Sequence, residues 1–374
     1  MGKELKVPVL EFKKKELVEN EAMAFVREMK IGWNVGNSLD AVARSMPEKE
    51  TDTETAWHNP LITKELIKAV KDAGFKTIRI PVSWHQHVAG EDFIVSRAWM
   101  KRIREVVDYC IDLDLKTILN THHDINKEFI YPDNEHTANA ERFVACVWKQ
   151  IAEEFKEYDD RLLFESLNEP RLAGTPLEWE PDYTIKEVRE AVRNINAMNQ
   201  AFVNSVREAG GKNRDRYLVV TGYADAVEGV LTEDFEMPKD TVENRLILNI
   251  HMYRPVRFAF DEEFRENKTD KFEIDDPESI EPINDVIDKA YEKFVTKGIP
   301  VIIDEMGAVD KNDNTQSRIN YNAYHAAIAK SAGMMNCYWD NGSVDRKADS
   351  FALFDRKTAK VLYPEIIEAL IVNS

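Results

Sequence analysis

Cysteine is scarce in this chain. Its three residues, Cys110, Cys146 and Cys337, stand far apart, and no pair has the Cys-x-x-Cys spacing. This argues against a disulfide framework or a thiolate metal site, since both need cysteines at short, repeated spacings. All three lie in segments with a helical or buried-strand pattern. We therefore expect each to be a small, buried, apolar side chain.

Long apolar runs are also missing. No stretch reaches 18 apolar residues, and residues 1–23 carry charges where a signal peptide needs an apolar core.

Positive charge is in deficit as well, because 50 Lys and Arg against 68 Asp and Glu leave a net charge of −18. Nucleic acids and anionic membranes would repel such a chain, so we expect neither as a partner. A neutral substrate fits better.

The length of the chain and its content of apolar residues favour one large domain. At 374 residues, 43% of them hydrophobic, the chain can bury a large core within the size range of an α/β barrel. No proline-rich or serine-rich linker and no low-complexity tract divides it. We therefore expect a single domain over residues 1–374, with residues 1–29 preceding the first strand.

Short apolar runs alternate with longer segments of helical period, which is the pattern of βα units around a parallel sheet. Eight such runs are present, and eight is the strand number of a (β/α)8 barrel. The sequence therefore predicts an α/β fold of the (β/α)8, or TIM-barrel, class. The predicted strands are KIGWN (30–34), TIRIPV (77–82), KTILNT (116–121), LLFESL (162–167), YLVVT (217–221), LILNIH (246–251), PVIID (300–304) and MMNCYW (334–339).

Apolar stripes of helical period separate many of these runs and predict amphipathic helices that cover the sheet. Such stripes begin at Ile62, Trp99, Phe143 and Ile283. Gly74 follows the first stripe, where a helix C-terminus favours a residue that tolerates positive φ. Between the fifth and sixth runs the helical signal is poor.

The active site of such a barrel forms at the carboxyl ends of its strands, so polar residues there are candidates for chemistry. These are Asn34 and Asn37 after the first strand, Arg79 and His85 in and after the second, His122 and His123 after the third, Asn168 and Glu169 after the fourth, His251 and Tyr253 after the sixth, Asp304 and Glu305 after the seventh, and Trp339 at the eighth. Two of them, Glu169 and Glu305, terminate well-separated strands. We expect them to face each other across the barrel mouth.

A carboxyl pair of this kind can hydrolyse a glycosidic bond. One carboxylic acid protonates the departing oxygen while the other carboxylate supports or attacks the anomeric carbon. Arg79, inside the barrel, is the natural cation to keep Glu305 ionised. Asn168 is placed to bind a sugar hydroxyl, and Trp339 offers a flat face to a pyranose ring.

Seven segments together carry a resemblance to a known family. In chain order they are GWNVGNSLDA (32–41), RIPVSW (79–84), NTHHD (120–124), LNEP (167–170), HMY (251–253), IIDEMG (302–307) and YWDNG (338–342). They resemble glycoside hydrolase family 5 of clan A, in particular its subfamily 4 of bacterial endoglucanases and xyloglucanases, over essentially the whole chain. The Asn-Glu-Pro segment alone is shared with other glycosidases of the clan, whereas all seven in order are highly specific.

The resemblance implies a role for each matching residue. Glu169 would be the acid/base and Glu305 the nucleophile, with Tyr253 hydrogen-bonded to the nucleophile. Asn168 would bind the 2-hydroxyl of the sugar at the cleavage subsite.

The remaining candidates support this pair. The resemblance implies that Arg79 and His251 orient and polarise the carboxylates, and that His122 and Trp339 shape the cleavage subsite. The family's pattern fixes His122 more firmly than His123, so His122 ranks above His123 as a candidate. Position near a strand end or in a loop adds Asn37, His85, Trp57 and Trp179 as candidates for sugar subsites.

The implied activity is that of a retaining endo-β-1,4-glucanase, which cleaves internal bonds of cellulose-type and mixed-linkage glucans by double displacement. Xyloglucan stays open as a substrate. We expect no cofactor and no metal, and a β-glucan polysaccharide as partner, with carbohydrate-binding or dockerin modules as possible neighbours outside this chain. The charged residues 1–23 leave two alternatives, an intracellular protein or a trimmed export signal. Because a polymer-degrading enzyme must be exported, we favour the trimmed signal and expect an extracellular location.

Two other functions stay open. A metal-dependent hydrolase on the same fold could gather His85, His87, His122, His123, His251 and Asp340 into a metal site. It leaves the two strand-end glutamates without a ligand role and gives the first strand no histidine. A carbohydrate-binding protein without catalysis would bind oligosaccharides with no turnover, and the presence of both glutamates argues against it.

Overall fold

A computed structural model of the protein describes residues 4–260, 268–344 and 349–374. Its eight main strands are β1 Ile31–Val35, β2 Thr77–Ile80, β3 Lys116–Asn120, β4 Leu162–Glu165, β5 Leu218–Val220, β6 Leu246–His251, β7 Val301–Met306 and β8 Met335–Asp340. They close into a barrel in the order β1-β8-β7-β6-β5-β4-β3-β2. The predicted (β/α)8 fold is therefore confirmed.

The predicted strands agree with the observed ones to within two residues at either end. All five residues of β1 and all six of β7 are buried. Parallel strands that are covered on both faces appear in a sequence as continuous apolar runs rather than alternating ones. This is why the runs could be located without any other information.

Helices connect the strands of the barrel. Within the described ranges the α-helices are α1 Glu21–Met29, α2 Lys64–Asp72, α3 Arg97–Asp112, α4 Thr137–Glu154, α5 Lys186–Glu208, α6 Val227–Leu231, α7 Val256–Ala259, α8 Pro277–Lys293, α9 Thr315–Ser331 and α10 Pro364–Asn373. Helix α6, between β5 and β6, has only five residues. This short helix agrees with the poor helical pattern of the sequence between the fifth and sixth strands. No described helix is both long and apolar enough to cross a membrane.

Helix α2 shows how the apolar stripes become covering helices. The Thr63 side chain accepts a hydrogen bond from the backbone N–H of Leu66 and so caps the first turn. The helix buries Leu66, Ile67 and Val70. After the helix, Gly74 has a φ of 112°, as its position predicted.

One expectation about the cysteines is wrong. Cys110 and Cys337 are buried, and burial raises the pKa of the Cys110 thiol to about 12. Cys146 is only half-buried. The stripe of α4 buries Val144 and Val147, and position 146 falls beside that stripe rather than on it.

The chain forms two compact units. The first comprises Met1–Asn37, Asn59–Arg79 and His251–Ser374, which hold β1, β7, β8 and most of β2. The second comprises Ser38–His58 and Ile80–Ile250, which hold β3, β4, β5 and most of β6. The single domain over residues 1–374 stays a prediction. The segment before β1 contains helix α1.

A buried histidine in helix α9 of the first unit makes stability depend on pH. His325 is fully buried, and its Nε2–H donates to the carbonyl oxygen of Arg254 over 3.0 Å. Burial lowers the pKa of His325 from 6.5 to about 3. The folded state therefore excludes a proton that the unfolded chain takes up as the pH falls.

The stability that neutral His325 contributes is present above pH 6.5 and is lost as the pH falls towards 3. His325→Gln keeps a donor for the Arg254 carbonyl and removes the titration. As the pH falls below 6.5, wild type should therefore lose stability relative to the variant. The difference between their free energies of unfolding should grow by about 1.4 kcal/mol per pH unit. Urea unfolding at several pH values measures this difference, and a difference independent of pH would contradict the account.

Candidate active site

Glu305 lies in strand β7 of the first unit, and both oxygens of its carboxylate accept hydrogen bonds. Arg79 Nη1 donates to Oε1 over 2.7 Å, and the Tyr253 hydroxyl donates to Oε2 over 2.9 Å. The Glu305 side chain is 6% exposed, so water screens these contacts weakly. Charge-assisted donors of this kind stabilise a negative carboxylate in a fixed orientation.

The Arg79 side chain is fully buried and contacts two further side chains besides the Glu305 carboxylate. Its Nη1 also donates to Asn34 Oδ1 over 3.0 Å, and its Nε lies 3.5 Å from Asp304 Oδ2. Asn34 Nδ2 in turn donates to the backbone carbonyl of Asp304 over 2.8 Å. A guanidinium has a rigid fork of donors, so these contacts fix its plane as well as its position.

His251 lies at the end of β6 beside the same two carboxylates. Its Nδ1 is 3.6 Å from Glu305 Oε2, and its Nε2 is 3.4 Å from Asp304 Oδ1. The next residue, Met252, donates its backbone N–H to the carbonyl of Glu305 over 2.9 Å. The first unit therefore brings together four predicted site residues, Arg79, His251, Tyr253 and Glu305.

Trp339 in β8 is half-buried, and its indole lies directly over the backbone of Gly36. A Cβ atom at Gly36 would come within 2.5 Å of indole Cη2. The next residue, Asn37, has a φ of 56° and accepts a hydrogen bond at its carbonyl from Asn59 Nδ2 over 2.8 Å. Two predicted site residues, Trp339 and Asn37, thus flank a glycine that the indole requires.

We expect Gly36→Ala to displace the Trp339 indole and to lower the free energy of unfolding by about 1–3 kcal/mol, as overpacking does. Near-UV circular dichroism and urea unfolding would report both effects. The matched comparison is Trp339→Ala, in which the added methyl group at Gly36 meets no indole. A Gly36→Ala effect of equal size in both backgrounds would show that the contact does not constrain the indole.

Glu169 follows Asn168 beyond strand β4 in the second unit. Asn168 is buried, whereas the Glu169 side chain is 21% exposed. Glu169 has a φ of 46°, in the left-handed region, and its backbone N–H donates to Asp225 Oδ2 over 2.8 Å. A non-glycine residue in this region costs about 1–3 kcal/mol and persists only where the surroundings impose it.

Asp225, whose carboxylate accepts a hydrogen bond from the N–H of Glu169, is not among the residues predicted from the sequence. It follows strand β5, from which no candidate was taken, and it is fully buried. The rule that polar residues at strand ends carry chemistry would have found it.

Arg171 was missed as well, because it lies in the loop after β4. Its Nη1 donates to the carbonyl of Glu169 over 2.9 Å and lies 3.8 Å from Glu169 Oε2. Its guanidinium stacks 3.9 Å from the ring centroid of Trp179, and its Nε pairs with Glu178 Oε1 at 3.1 Å. Trp179 is 57% exposed, so a flat aromatic face is open to solvent next to a residue that contacts Glu169.

The histidine pair after β3 divides into a buried and a more exposed member. His122 is buried, and its Nδ1 lies 3.1 Å from Asn120 Nδ2, which also donates to Glu165 Oε1. Because an amide nitrogen can only donate, Nδ1 accepts and the ring proton is assigned to Nε2. The side chain of His123 is 37% exposed, and its Nε2 lies 3.6 Å from Asp40 Oδ2.

His85 is hydrogen-bonded to Asp124, which lies in the loop after β3. Asp124 Oδ1 accepts from the backbone N–H of His85 over 2.7 Å and lies 2.9 Å from its Nδ1. This contact fixes the ring, whose side chain is 13% exposed.

Two of the residues named for the metal-dependent alternative, His87 and Asp340, have other contacts. His87 Nδ1 is 2.8 Å from Glu50 Oε1, the ring stacks on Trp99, and burial lowers the His87 pKa. Asp340 accepts from Trp33 Nε1 over 3.1 Å and pairs with Arg356. Both side chains therefore have partners within the protein itself.

Among its described residues, the second unit contains two side-chain clusters with the donor types of a metal site. In the second unit, Asp40, His122 and His123 bring ligand atoms within 4.8 Å of one another. Asp133, Glu135 and His136 do the same at a partly exposed position. Exposed acidic groups commonly cluster in this way without an ion.

A family model supports the prediction made from the seven segments. The model of cellulase, glycosyl hydrolase family 5, matches residues 40–345. The chain therefore belongs to glycosyl hydrolase family 5.

Individual relatives agree with this assignment. Endoglucanase A of Clostridium longisporum is 38% identical over 358 residues, which make up 94% of this chain and 65% of that protein. The chain thus spans just under two thirds of the length of that relative.

Solved structures are similar over the whole chain. A family 5 lichenase from Caldicellulosiruptor sp. F32, in complex with cellotetraose, has a TM-score of 0.96 and 43% identity, and the match covers 99% of this chain and 100% of that one. A broad-specificity endoglucanase of subfamily 4 from Ruminococcus champanellensis, with bound cellotriose, has a TM-score of 0.86 and 37% identity over 96% and 100% of the two chains. The predicted resemblance to subfamily 4 is confirmed.

Proposed function

We propose that this protein is a retaining endo-β-1,4-glucanase that uses Glu305 as nucleophile and Glu169 as acid/base. The observation that carries the proposal is the setting of Glu305. Its buried carboxylate accepts a hydrogen bond from the Arg79 guanidinium and another from the Tyr253 hydroxyl, contacts that favour a carboxylate anion and fix its direction. A nucleophilic carboxylate needs both properties.

In the first step the Glu305 carboxylate attacks the anomeric carbon and the glycosidic C–O bond breaks. The Glu169 carboxyl group donates its proton to the departing oxygen, so the leaving chain is released as an alcohol. In the second step Glu169, now a carboxylate, takes a proton from water, whose oxygen attacks the anomeric carbon and releases Glu305. Two displacements at one carbon retain its configuration.

The remaining predicted residues receive substrate-binding roles in this proposal. Asn168 binds the 2-hydroxyl at the cleavage subsite, and His122 contributes its Nε2–H as a donor to a sugar hydroxyl. Trp339 supports the apolar face of the pyranose ring. His123, His85 and Asn37 remain candidates for outer contacts.

The substrate class follows from the relatives. One similar structure is a lichenase with cellotetraose, and another is a broad-specificity endoglucanase with cellotriose. We therefore assign mixed-linkage β-glucan and cellulose-type glucans to this protein, and xyloglucan as a further substrate to be tested. Because these polymers cannot enter a cell, the proposed place of action is outside it.

We expect Glu305→Ala and Glu169→Gln to abolish nearly all release of reducing sugar from barley β-glucan and carboxymethyl cellulose. Substitution of a residue that forms or breaks bonds typically costs several orders of magnitude in kcat. The matched control is Glu128→Gln, at an exposed position in the loop after β3, which should retain wild-type activity. Substantial turnover by Glu305→Ala would show that the nucleophile is misassigned.

The same assay run with a chelator tests the metal-dependent alternative. The carboxylate mechanism predicts an unchanged rate with wild-type protein. Loss of activity that added metal restores would favour a metal-dependent hydrolase instead. Binding of cellotetraose without any turnover would favour the non-catalytic alternative.

The stereochemistry of the product tests the double displacement itself. Proton NMR during hydrolysis of cellotetraose should show the β-anomer of the new reducing end first, followed by mutarotation. Appearance of the α-anomer first would mean a single displacement by water and would contradict the role given to Glu305.

A further inference from the structure

Two turns of the second unit adopt unusual backbone conformations. One, at residues 168–170, follows β4 and contains Glu169; the other, at residues 223–225, follows β5 and ends at Asp225. Glu169, Ala224 and Asp225 have φ values of 46°, 54° and 52°, all in the left-handed region. Residues other than glycine seldom occupy this region without a stabilising contact. We call these segments the paired turns.

The paired turns exchange hydrogen bonds in both directions. The N–H of Glu169 donates to Asp225 Oδ2 over 2.8 Å, and the N–H of Ala224 donates to the carbonyl of Pro170 over 2.9 Å. One bond uses a side chain and the other uses only backbone. The conformation of Glu169 therefore depends on a side chain that is 56 positions away in the sequence.

The Asp225 carboxylate is itself held firmly. Asp225 is fully buried, and the Thr221 hydroxyl donates to its Oδ1. With Oδ1 bonded to Thr221 and Oδ2 bonded to the N–H of Glu169, both oxygens have fixed directions. A buried carboxylate with satisfied oxygens is a rigid support.

Helix α6 packs closely against the turn at residues 223–225, which contains Asp225. A Cβ atom at Gly229 would lie 2.5 Å from the carbonyl oxygen of Tyr223, and one at Gly222 would lie 2.5 Å from Val230 Cγ1. Only glycine permits so close an approach. The turn is thus packed against a helix and cannot shift freely away from Glu169.

We infer that Asp225 is a positioning residue for the acid/base, and this rests on the proposed role of Glu169. The Asp225 carboxylate holds the backbone of Glu169 in its left-handed conformation, and that conformation directs the Glu169 side chain towards the departing oxygen. Asp225 itself touches no substrate. Its effect is confined to the steps in which Glu169 transfers a proton.

The dependence on the leaving group separates this role from a merely structural one. A β-glucan needs its departing oxygen protonated, whereas 2,4-dinitrophenolate leaves without a proton. The ratio kcat/KM reports the first displacement from free enzyme and substrate. A misplaced acid therefore lowers kcat/KM for barley β-glucan and spares kcat/KM for 2,4-dinitrophenyl β-cellobioside. A general loss of folded protein lowers both equally.

The test compares Asp225→Ala, Asp225→Asn and Glu169→Ala on both substrates. We expect Asp225→Ala to lower kcat/KM for barley β-glucan by about 10²-fold, since misplacing a catalytic group costs about this much. For the dinitrophenyl substrate the change should stay within about threefold, because this step needs no acid. Asp225→Asn should recover most of the activity on β-glucan. Its amide oxygen can accept from Glu169, and its amide nitrogen can donate to the Thr221 hydroxyl.

Three results overturn the inference. Equal losses on the two substrates in Asp225→Ala would assign Asp225 to folding alone, and an unchanged kcat/KM on both would remove it from the site. An Asp225→Asn variant as impaired as Asp225→Ala would show that charge, not geometry, is what Glu169 requires. Glu169→Ala supplies the reference for the proposed function. If that variant shows no dependence on the leaving group, the acid/base assignment fails, independently of Asp225.

Discussion

The contact between the Arg79 guanidinium and the Glu305 carboxylate is the interaction on which the first unit of this protein depends. Arg79 is fully buried, and a second buried carboxylate, that of Asp304, lies 3.5 Å from it. Removing one member of such a buried group leaves an uncompensated charge, which typically costs about 3–5 kcal/mol. The same contacts therefore balance the buried charges and orient the Glu305 carboxylate. They are made by residues of β1, β2 and β7.

In the second unit, Glu169 is positioned in a different way from Glu305. Glu169 depends on backbone conformation, imposed through Asp225, and on Arg171, which donates to its carbonyl. An acid/base must change its protonation state twice in each cycle, whereas a nucleophile must stay ionised until it attacks. These two hydrogen bonds support Glu169 through its backbone N–H and carbonyl groups, so they fix its direction without using its carboxyl group. The proposed nucleophile, Glu305, must instead stay ionised, and the buried Arg79 guanidinium beside its carboxylate suits that role.

The barrel could be predicted, and so could the positions of Glu169 after β4 and Glu305 in β7, because burial and strand position are visible in the sequence. Continuous apolar runs mark strands covered on both faces, and polar residues at their carboxyl ends mark the site. The contact between Asp225 and Glu169 could not be predicted, because it depends on left-handed backbone that propensities disfavour for these residues. The stacking of Arg171 on Trp179 depends on the path of a loop. Cys146 was misplaced because it lies one position off an apolar stripe.

The central claim, that Glu305 is the nucleophile of a double displacement, is tested most directly by trapping the covalent intermediate. A 2-deoxy-2-fluoro-β-cellobioside with a dinitrophenolate leaving group should react once and then stall, because the fluorine slows the second displacement. Peptide mapping by mass spectrometry should find the fluorocellobiosyl group on Glu305. An adduct on a different residue, or complete turnover without any adduct, would contradict the account.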